Sequence, residues 1–424
     1  MSKMNNAYKE VVIIGGGFAG VNLAKSLADE DGIHVTLVDK NNYNFFPPLL
    51  YQVATGFLEV SNITYPFRKM FARKKNIRFR MAELIEIDAE HNTVILNNGK
   101  LIYDYLVLAT GTESNYFGID NIKRSALTMK TIDDAVNIRN FFLLQAERAT
   151  LQSDPVERAK LSNIVIAGGG PTGVELAGMI AQTRKKVQEA EYPELKGEHP
   201  AIYLVDALDV VLAPMSEKSQ RYTKDTLINM GVNVMLGKQV KDYIHDAVIF
   251  SDGSSIPTKS LIWTAGVMAR TFAGLPESSY GRGNRLRVDA YNAVIGLRNI
   301  YAIGDTCIQT TDPDFGNGHP QLAQVAIQQG KNLAANLKAM QSDAKTKPFS
   351  YNDKGSMAII GRYKAVAEIP RPKFFFRGFL AWSAWLFVHL FSLVSFQNKI
   401  KTIHNWFISF LTNDQSMRII ERPK

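Results

Sequence analysis

The 424-residue chain is 46% hydrophobic and 21% charged, which suits two or three packed domains and excludes a disordered chain as the first reading. Its net charge of +9 suits anionic partners, but the sequence has no zinc-finger spacing, RNP motif or arginine-rich block. Nucleic acid and a metal site are therefore not predicted. Cys307 is the only cysteine, so an intramolecular disulfide and a redox-active dithiol are both excluded.

The N-terminal segment MSKMNNAYKE has neither the apolar core of a secretory signal nor the Arg- and Ser-rich pattern of a transit peptide. We therefore expect the protein to be made in, and to remain in, the cytoplasm. The single cysteine fits a reducing compartment or a chain that simply avoids thiols.

A strand, a glycine-rich turn, a helix and a second strand follow each other at the start of the chain. Lys9–Ile14 is predicted as a buried parallel strand, VNLAKSLADE as an amphipathic helix, and residues 34–38 as the next strand. In the G-x-G-x-x-G turn the glycines allow a tight bend, close approach of a pyrophosphate and close helix packing. Asp39 ends the second strand, where a carboxylate can bind a ribose hydroxyl. A purely structural turn is the alternative. The predicted binding residues of the turn are Gly15, Gly16, Gly17, Phe18, Ala19 and Gly20.

The same order returns in mid-chain, with strands over residues 163–167 and 201–205 around the helix VELAGMIAQTRKKVQEA. Asp206 follows the second strand, and its carboxylate can accept from a ribose 2′-hydroxyl but repels a 2′-phosphate. The next three residues, ALD, include no arginine, so NADH is favoured over NADPH. Two complete units predict two dinucleotide sites in two doubly wound domains. The second turn consists of Gly168, Gly170, Pro171, Thr172 and Gly173.

Three shorter motifs fit this plan. LVLATG ends in Ala109, Thr110 and Gly111, and WTAG ends in Ala265 and Gly266; both are buried strands that finish in small-residue turns. Each motif alone is more often an ordinary tight turn than a site. In YAIGD a carboxylate, Asp305, follows a strand, where it serves either as a helix N-cap or as a ligand to a sugar hydroxyl.

Together these motifs resemble the two-dinucleotide flavoproteins of the glutathione reductase fold, and more closely the type II NADH dehydrogenase family, the single-subunit NADH:quinone oxidoreductases. The closer resemblance rests on FFPPLLYQVATG (45–56), GGGPTGVELAG (168–178), AQVAIQQG (323–330) and MAIIGRYKAVAEI (357–369). It implies an α/β fold with two Rossmann-like domains and a C-terminal amphipathic helical segment that anchors the protein to a membrane. We expect an FAD-binding domain over residues 1–124 and 271–345, an NADH-binding domain over 125–270, and a membrane-association segment over 346–424.

The resemblance also implies roles for individual residues. FAD would be held by the first turn, Asp39, Lys40, the backbone of Leu84, the ATG turn, Asp305, Ala326 and Lys364. NADH would be held by the second turn, Asp206 and the Ala265–Gly266 turn. Glu175 matches the family's acidic residue between the nicotinamide and flavin sides, and Gln324 and Gln328 match the glutamines that line the quinone pocket.

The residues themselves leave alternatives open. Glu175 follows Gly173 closely enough to lie in the first helical turn, where the helix dipole stabilises an acid without any chemistry. Gln324 and Gln328 are spaced i and i+4 and could orient a quinone carbonyl, but paired glutamines on an exposed helix are usually just solvated.

The tail is apolar. Residues 378–396 carry no formal charge over the length of a minimal span, but include His389 and several serines, so the sequence leaves open whether they dip into the bilayer or cross it. The next segment has an amphipathic pattern, and Trp382, Trp385 and Trp406 suit a headgroup boundary. A helical hairpin buried in a homodimer is the alternative. Apolar positions of the amphipathic pattern are Ile400, Ile403, Phe407, Phe410 and Leu411, with Lys401, His404 and Asn405 elsewhere.

We therefore expect a non-proton-pumping NADH:quinone oxidoreductase, peripheral on the cytoplasmic face of the inner membrane and compatible with a homodimer. A reductase of a soluble acceptor such as ferredoxin would not need the aromatic tail. A sulfide:quinone oxidoreductase would need more than one cysteine. A non-catalytic NADH-sensing protein is the alternative from a different class, and it predicts slow turnover with every acceptor.

Overall fold

The computed structural model describes residues 8–198, 200–412 and 418–421. Residues 1–7, which carry most of the segment behind the expectation of cytoplasmic residence, lie outside the described residues. The helices are α1 Phe18–Ser26, α2 Leu50–Ala54, α3 Val60–Ile63, α4 Phe67–Phe71, α5 Asp120–Ser125, α6 Ile132–Thr150, α7 Pro155–Ser162, α8 Pro171–Glu191, α9 Glu217–Asn229, α10 Ala323–Gln341, α11 Phe379–Ser392 and α12 Phe396–Thr412.

The strands are short and spread over the whole chain. In chain order they are β1 Lys9–Ile14, β2 Ile33–Asp39, β3 Tyr43–Phe45, β4 Thr64–Pro66, β5 Ile77–Met81, β6 Leu84–Asp88, β7 Thr93–Leu96, β8 Gly99–Ile102, β9 Tyr105–Leu108, β10 Thr112–Ser114, β11 Leu127–Thr128, β12 Ile164–Ala167, β13 Ile202–Val205, β14 Val232–Met235, β15 Val240–Ile244, β16 Ala247–Phe250, β17 Ser255–Pro257, β18 Ser260–Trp263, β19 Val267–Ala269, β20 Leu286–Val288, β21 Ile300–Ala302, β22 Cys307–Gln309, β23 Ser356–Gly361, β24 Lys364–Ile369 and β25 Phe374–Arg377.

The chain divides into two compact units. The first unit consists of residues 1–45, 65–113 and 267–353, and the second unit of residues 46–64, 114–266 and 354–424. These divisions differ from the boundaries expected from sequence at residues 124, 270 and 345. The reason is tertiary: segment 46–64 contributes α2 and α3, which pack against α8 and α12 of the second unit. The tail likewise packs into the second unit instead of forming a segment of its own.

The first unit is built on a parallel five-stranded sheet in the order β21-β9-β1-β2-β5. Val11 to Ile14 are at most 4% exposed, as expected for a strand that is covered on both faces and therefore lacks an alternating pattern. Helices α1 and α10 cross at close range, since a Cβ on Gly330 would lie 2.6 Å from the Ala19 carbonyl oxygen. The predicted first βαβ unit is therefore confirmed.

The second unit repeats this plan with a parallel sheet in the order β11-β18-β12-β13-β14. A separate antiparallel sheet, β23-β24-β25, packs against α8 and α11. The predicted α/β class with two doubly wound domains and C-terminal helices is thus confirmed.

The C-terminal helices differ from the expected tail in one respect. Trp382, Trp385 and Trp406 are at most 7% exposed, so the interpretation of these three rings as headgroup anchors is wrong. They fill the interior of the second unit because α11 and α12 pack against each other and against neighbouring elements. Residues 378–396 are also interrupted between α11 and α12. Across the described ranges, no helix is both long and apolar enough to traverse a bilayer.

Candidate dinucleotide sites and buried acid

The first glycine turn is shaped by backbone contacts within the first unit. Gly15 has φ +106, and a Cβ there would lie 2.4 Å from the Ala109 carbonyl oxygen, so only glycine fits. A Cβ on Gly20 would lie 1.9 Å from the Gly15 carbonyl oxygen. Gly17, the N-cap of α1, has nothing within 4 Å of its Cβ position. Two glycines therefore close the turn, while the third leaves open space at a helix N-terminus, where amide groups can bind phosphate oxygens.

The Asp39 carboxylate is hydrogen-bonded to the backbone of this turn. One carboxylate oxygen accepts from the Gly16 amide at 2.7 Å, and the other accepts from the Asn41 amide at 2.8 Å. Burial raises the pKa of Asp39, although both backbone hydrogen bonds act in the opposite direction. A carboxylate has about four lone-pair sites, so two remain for ribose hydroxyls. The geometry therefore fits the predicted role and adds a structural one.

Three small residues meet beside the turn. Gly304 has φ +72, and a Cβ there would lie 3.2 Å from the Ala19 Cβ and 3.3 Å from the Ala326 Cβ. Ala326 is 6% exposed in the second turn of α10. The sequence prediction of Ala19 and Ala326 as cofactor neighbours thus corresponds to side chains that lie together in the first unit.

Two polar residues in this region escaped the sequence analysis. The buried Thr306 accepts from the Gly111 amide at 2.8 Å and lies 3.3 Å from the Thr110 hydroxyl. The buried Gln329 accepts from the Gly304 amide at 2.7 Å. Both bonds hold predicted FAD-contact turns in place. Their positions beside Asp305 and Gln328 were the available signal, but residue type alone does not separate a structural polar side chain from a solvated one.

The remaining predicted FAD residues lie on different elements of the fold. Asp305 lies within a short 3-10 helix whose N-cap is Ile303, so the N-cap alternative for this carboxylate is wrong. Leu84 begins β6 and is half-buried, and Lys40 is exposed. Lys364 begins β24 in the second unit and is half-buried.

The second glycine turn reproduces the geometry of the first inside the second unit. Gly168 has φ +117, and a Cβ there would lie 2.6 Å from the Thr264 backbone carbon. A Cβ on Gly173 would lie 1.9 Å from the Gly168 carbonyl oxygen, while the Cβ position of Gly170 is open to 4 Å. Pro171 and Thr172 are exposed at the start of α8. The predicted repeat therefore holds at the level of individual backbone contacts.

Asp206 occupies the position in this turn that Asp39 occupies in the first. Its carboxylate accepts from the Gly169 amide at 2.5 Å and from the Leu208 amide at 2.7 Å. The loop after it is exposed and includes no cationic side chain up to Val211. A ribose 2′-hydroxyl can add a donor here, whereas a 2′-phosphate would meet negative charge.

The Ala265–Gly266 turn follows β18 and is covered by an aromatic side chain. The Asn115 amide donates to the Gly266 carbonyl oxygen at 3.0 Å, and the Trp263 indole donates to the Asn115 carbonyl oxygen at 2.7 Å. A Cβ on Gly266 would lie 2.7 Å from the Phe117 ring. Glycine is therefore required at this position by packing, whatever ligand the turn contacts.

Glu175 is the fifth residue of α8, since the helix begins at Pro171. It therefore lies beyond the first turn, and the interpretation of this acid as a helix-dipole stabiliser loses its basis. The side chain is half-buried by surface area, and its carboxyl accepts from the Ile359 amide. Desolvation by the surrounding protein raises the pKa of Glu175 to about 8. This acid is protonated for most of the time at pH 7.

The two predicted quinone-pocket glutamines lie in α10, in the first unit. Gln324 is half-buried at the second position of the helix. Gln328 donates to the Asn352 carbonyl oxygen at 2.9 Å and accepts from the Asn352 amide at 3.0 Å. The Gln328 side-chain amide therefore connects α10 to the segment after Tyr351. Neither alternative predicted from the sequence, a quinone contact or a solvated side chain, included this role.

Comparison with known proteins decides the family. Residues 9–330 match the family model of pyridine nucleotide-disulphide oxidoreductases, and residues 354–413 match that of the NDH2 C-terminal domain. The chain is 34% identical to the type II NADH:quinone oxidoreductase Ndh of Mycobacterium tuberculosis, over 95% of this chain and 88% of that protein. The chain belongs to the type II NADH:quinone oxidoreductase family.

Further relatives agree with this assignment. Identity to NdhA of Mycobacterium tuberculosis, another type II NADH:quinone oxidoreductase, is 36% over 95% of this chain and 87% of that protein. The solved structure of NDH2 from Plasmodium falciparum in complex with NADH superimposes with a TM-score of 0.86 at 23% identity, covering 98% of this chain and 100% of that one. The family and fold predicted from the motifs are confirmed, and with them the class of FAD- and NADH-dependent oxidoreductase.

Proposed function

We propose that this chain oxidises NADH at the second glycine turn and reduces a membrane quinone, with FAD at the first glycine turn. The observation that carries the proposal is the duplication of one geometry in two units: a closed glycine turn, an open glycine at a helix N-terminus, and an aspartate fastened to the turn. FAD held at the first turn would supply the two-electron redox chemistry that links NADH oxidation to quinone reduction.

The fit to FAD rests on space and polarity in the first unit. The open side of Gly17 leaves room for a pyrophosphate against the amides of α1. Asp39 keeps lone pairs for a ribose, and Thr306 and Gln329 hold the turns at Gly111 and Gly304. These residues bind and orient the cofactor.

The fit to NADH rests on Asp206. Its carboxylate faces the open second turn and would meet the adenine ribose, and the exposed residues after it offer no cation for a 2′-phosphate. Binding of the nucleotide at this turn positions it for hydride transfer.

Glu175 supplies the protonation chemistry in this proposal. Quinone reduction consumes two electrons and two protons, and a side chain that holds a proton at neutral pH can supply one of them. The raised pKa of Glu175, about 8, suits this role. We assign Glu175 as the proton-holding acid and Gln324 as a quinone contact, and we assign Gln328 to the support of α10.

Attachment to a membrane surface is supported by the distribution of apolar side chains on the C-terminal helices. On α12 the side chains of Asn398, Thr402 and Ser409 are at most 8% exposed, whereas Ile400, Phe407 and Leu411 are at least 53% exposed. Helix α12 therefore buries these polar side chains together with Trp406 and exposes large apolar side chains, whereas a soluble surface helix exposes mainly polar ones. Exposed apolar residues of α11 extend the same surface: Phe379, Leu380, Phe387, Val388 and Phe391.

We propose that this apolar surface dips into one leaflet on the cytoplasmic face, where a lipid-dissolved quinone is available. A homodimer through the same helices is the second candidate, because an apolar patch of this kind suits either partner.

A thiol-based oxidoreductase is disfavoured by the state of the single cysteine. Cys307 is buried, and burial raises the pKa of its thiol to about 12, so it is not a nucleophile at neutral pH. A sulfide oxidation mechanism therefore has no suitable sulfur in this chain.

One experiment tests the assignment. The protein is purified in detergent, its flavin spectrum is recorded, and the flavin is reduced anaerobically with NADH or NADPH and then mixed with a short-chain quinone or oxidised ferredoxin. We expect bound flavin, faster reduction by NADH, and reoxidation by quinone within the turnover time. A flavin that ferredoxin reoxidises and quinone does not would support the soluble-acceptor reductase, and no reoxidation by either would support the NADH sensor.

A further inference from the structure

Phe117 has a backbone conformation that its residue type does not favour. Its φ is +51, Gly118 follows with φ +79, and the Ile119 amide donates to the Tyr116 carbonyl oxygen at 2.9 Å. Two positive φ angles inside such a bonded turn are the pattern of a type I′ turn, in which Asn, Asp and Gly are the usual central residues. A bulky side chain in the left-handed region is strained, so the surrounding structure holds Phe117 against its own preference.

Other side chains with positive φ avoid this conflict or are compensated for it. Within the described ranges eleven non-glycine residues have positive φ, and eight of them are Asn, Asp or His, which tolerate this conformation. Of the other three, Leu212 is 1% exposed, and Tyr363 packs edge-on against Trp382 at a centroid distance of 4.9 Å. Phe117 is 62% exposed. Neither its backbone nor burial accounts for a phenyl ring at this position, and retained strain of this kind points to a function.

The Phe117 ring lies at the carboxyl end of the parallel sheet of the second unit. It covers the turn after β18, where a Cβ on Gly266 would lie 2.7 Å from the ring, and it meets the edge of Trp263 at a centroid distance of 6.4 Å. Asn115 fixes this placement: its side-chain oxygen accepts from the Phe117 amide at 2.8 Å, and its carbonyl oxygen accepts from the Trp263 indole at 2.7 Å.

The end of β18 also touches the second glycine turn. The Thr264 hydroxyl donates to the Ala167 carbonyl oxygen at 2.9 Å, and a Cβ on Gly173 would lie 3.0 Å from Thr264 Oγ1. Gly266 follows Thr264 by two residues. The Phe117 ring therefore lies beside the turn that is proposed to bind the NADH pyrophosphate.

The strand order indicates which half of the nucleotide reaches this ring. Strands β13 and β18 flank β12 on opposite sides, and a dinucleotide binds across the carboxyl ends of the strands at such a point. Asp206 ends β13 and is proposed to bind the adenine ribose, so the nicotinamide half extends toward the end of β18. Residues 115–119 and 263–267 carry no charged side chain, and Phe117 and Ala265 are exposed there. An uncharged surface with an aromatic ring suits a pyridine ring.

We propose that Phe117 is a nicotinamide-binding side chain, whose exposed ring packs against the pyridine ring of NADH and NAD+ at the end of β18. The inference rests on the proposed function for the place of the nucleotide at the second glycine turn. Contact between the two rings removes apolar surface from water, and the positively charged pyridinium of NAD+ is also attracted to an aromatic face. The strained turn holds the Phe117 ring exposed before the nucleotide arrives, so less conformational freedom is lost on binding.

Calorimetric titration of the oxidised, flavin-loaded protein tests this contact without turnover. The two probes are NAD+ and ADP-ribose, which has the adenosine, the pyrophosphate and the second ribose but no pyridine ring. We expect Phe117→Asn to raise the Kd of NAD+ about tenfold and to leave the Kd of ADP-ribose unchanged. Phe117→Tyr retains the ring and should bind both ligands as the wild type does.

A matched variant separates the ring contact from the geometry of the turn. Phe117→Asn places Asn before Gly118, the pair that is most typical of a type I′ turn. His245 has φ +52, is exposed and occupies the first central position of the hairpin turn between β15 and β16, so His245→Asn makes a comparable change in the same unit. Neither substitution should lower the Tm, and His245→Asn should leave the Kd of NAD+ unchanged.

Stopped-flow reduction of the flavin by NADH gives a second readout, in which the NADH concentration for half-maximal reduction should rise in Phe117→Asn together with the Kd of NAD+. A lower Tm with an unchanged Kd of NAD+ would assign the ring to the cover of Trp263 and overturn the inference. An equal rise of the Kd for NAD+ and ADP-ribose, as expected of a distorted turn, would overturn it too. If Phe117→Asn does not fold, an unchanged Kd of NAD+ in Phe117→Leu, which keeps the bulk but not the ring, does the same. Failure of quinone to reoxidise wild-type flavin would reject the proposed function, while the calorimetry would still decide this inference.

Discussion

Gly178 lies directly against Ile360: a Cβ on this glycine would be 1.6 Å from the Ile360 carbonyl oxygen. The helix α8 can approach the backbone of β23 this closely only without a side chain at residue 178. The same approach brings the Ile359 amide to the Glu175 carboxyl, one helical turn earlier. A glycine with no catalytic chemistry thereby sets the environment of the acid.

Substitution Gly178→Ala should therefore be strongly destabilising. The added methyl group must push α8 and β23 apart, and overpacking of this kind costs about 3 kcal/mol or more of unfolding free energy. Urea denaturation followed by tryptophan fluorescence measures the loss. Gly316→Ala is the matched control, because nothing lies within 4 Å of its Cβ position. Equal stability of the two variants would contradict the close approach.

Asp206 should determine nucleotide binding. In Asp206→Asn one charged acceptor is lost and the new NH2 group faces a backbone amide, so we expect the Kd for NADH to rise about tenfold, equivalent to about 1.4 kcal/mol. The preference for NADH over NADPH should fall as well. Titration of the oxidised enzyme with each nucleotide checks both effects. Asp209→Asn makes the same charge change at an exposed neighbour and should change the Kd less than twofold; a similar loss in both variants would argue for a general charge effect.

The raised pKa of Glu175 predicts a pH-dependent stability. The folded protein binds this proton up to about pH 8, whereas the unfolded chain releases it near the ordinary value of 4.5. The contribution of this proton to the free energy of unfolding is therefore fully present below about pH 4.5. It is lost as the pH rises from 4.5 toward 8. Glu175→Gln removes this loss, so its Tm should exceed that of the wild type by an increasing margin between pH 5 and pH 9. Thermal scans across this range measure the margin, and exposed Glu113→Gln should show none.

Membrane attachment should depend on the exposed face of α12. Phe407 is 61% exposed, and its burial in a leaflet is worth about 2 kcal/mol, so Phe407→Glu should sharply reduce the fraction that sediments with lipid vesicles. Val156→Glu replaces an equally exposed apolar side chain (63%) by the same acid in α7, outside the C-terminal helices, and should retain binding. Equal vesicle binding by both variants would reject this face as the anchor. Deletion of the tail is a poorer test, because it also removes the buried Trp385 and Trp406.

The two glycine turns were predictable because their requirements are local. A glycine turn between a buried strand and a helix constrains residues at fixed spacings, so Gly15, Gly20, Gly168 and Gly173 could be assigned a backbone role from their positions alone. The carboxylate that ends the next strand is local in the same sense, since parallel neighbours place it beside the turn.

The rest was decided by tertiary packing. From the sequence, Glu175 could be interpreted simply as an acid stabilised by the helix dipole. The desolvation of its carboxyl depends on β23, about 180 positions away in the chain, and only the tertiary structure shows that β23 packs against α8. The tryptophans of the tail are buried and not interfacial for the same reason, since an amphipathic pattern shows that a helix has two faces but not which face meets protein. Sequence alone therefore determined the two glycine turns, the family and its chemistry. Only the tertiary structure decided how the acid is tuned and which side of the C-terminal helices is exposed, because burial is a property of long-range contacts.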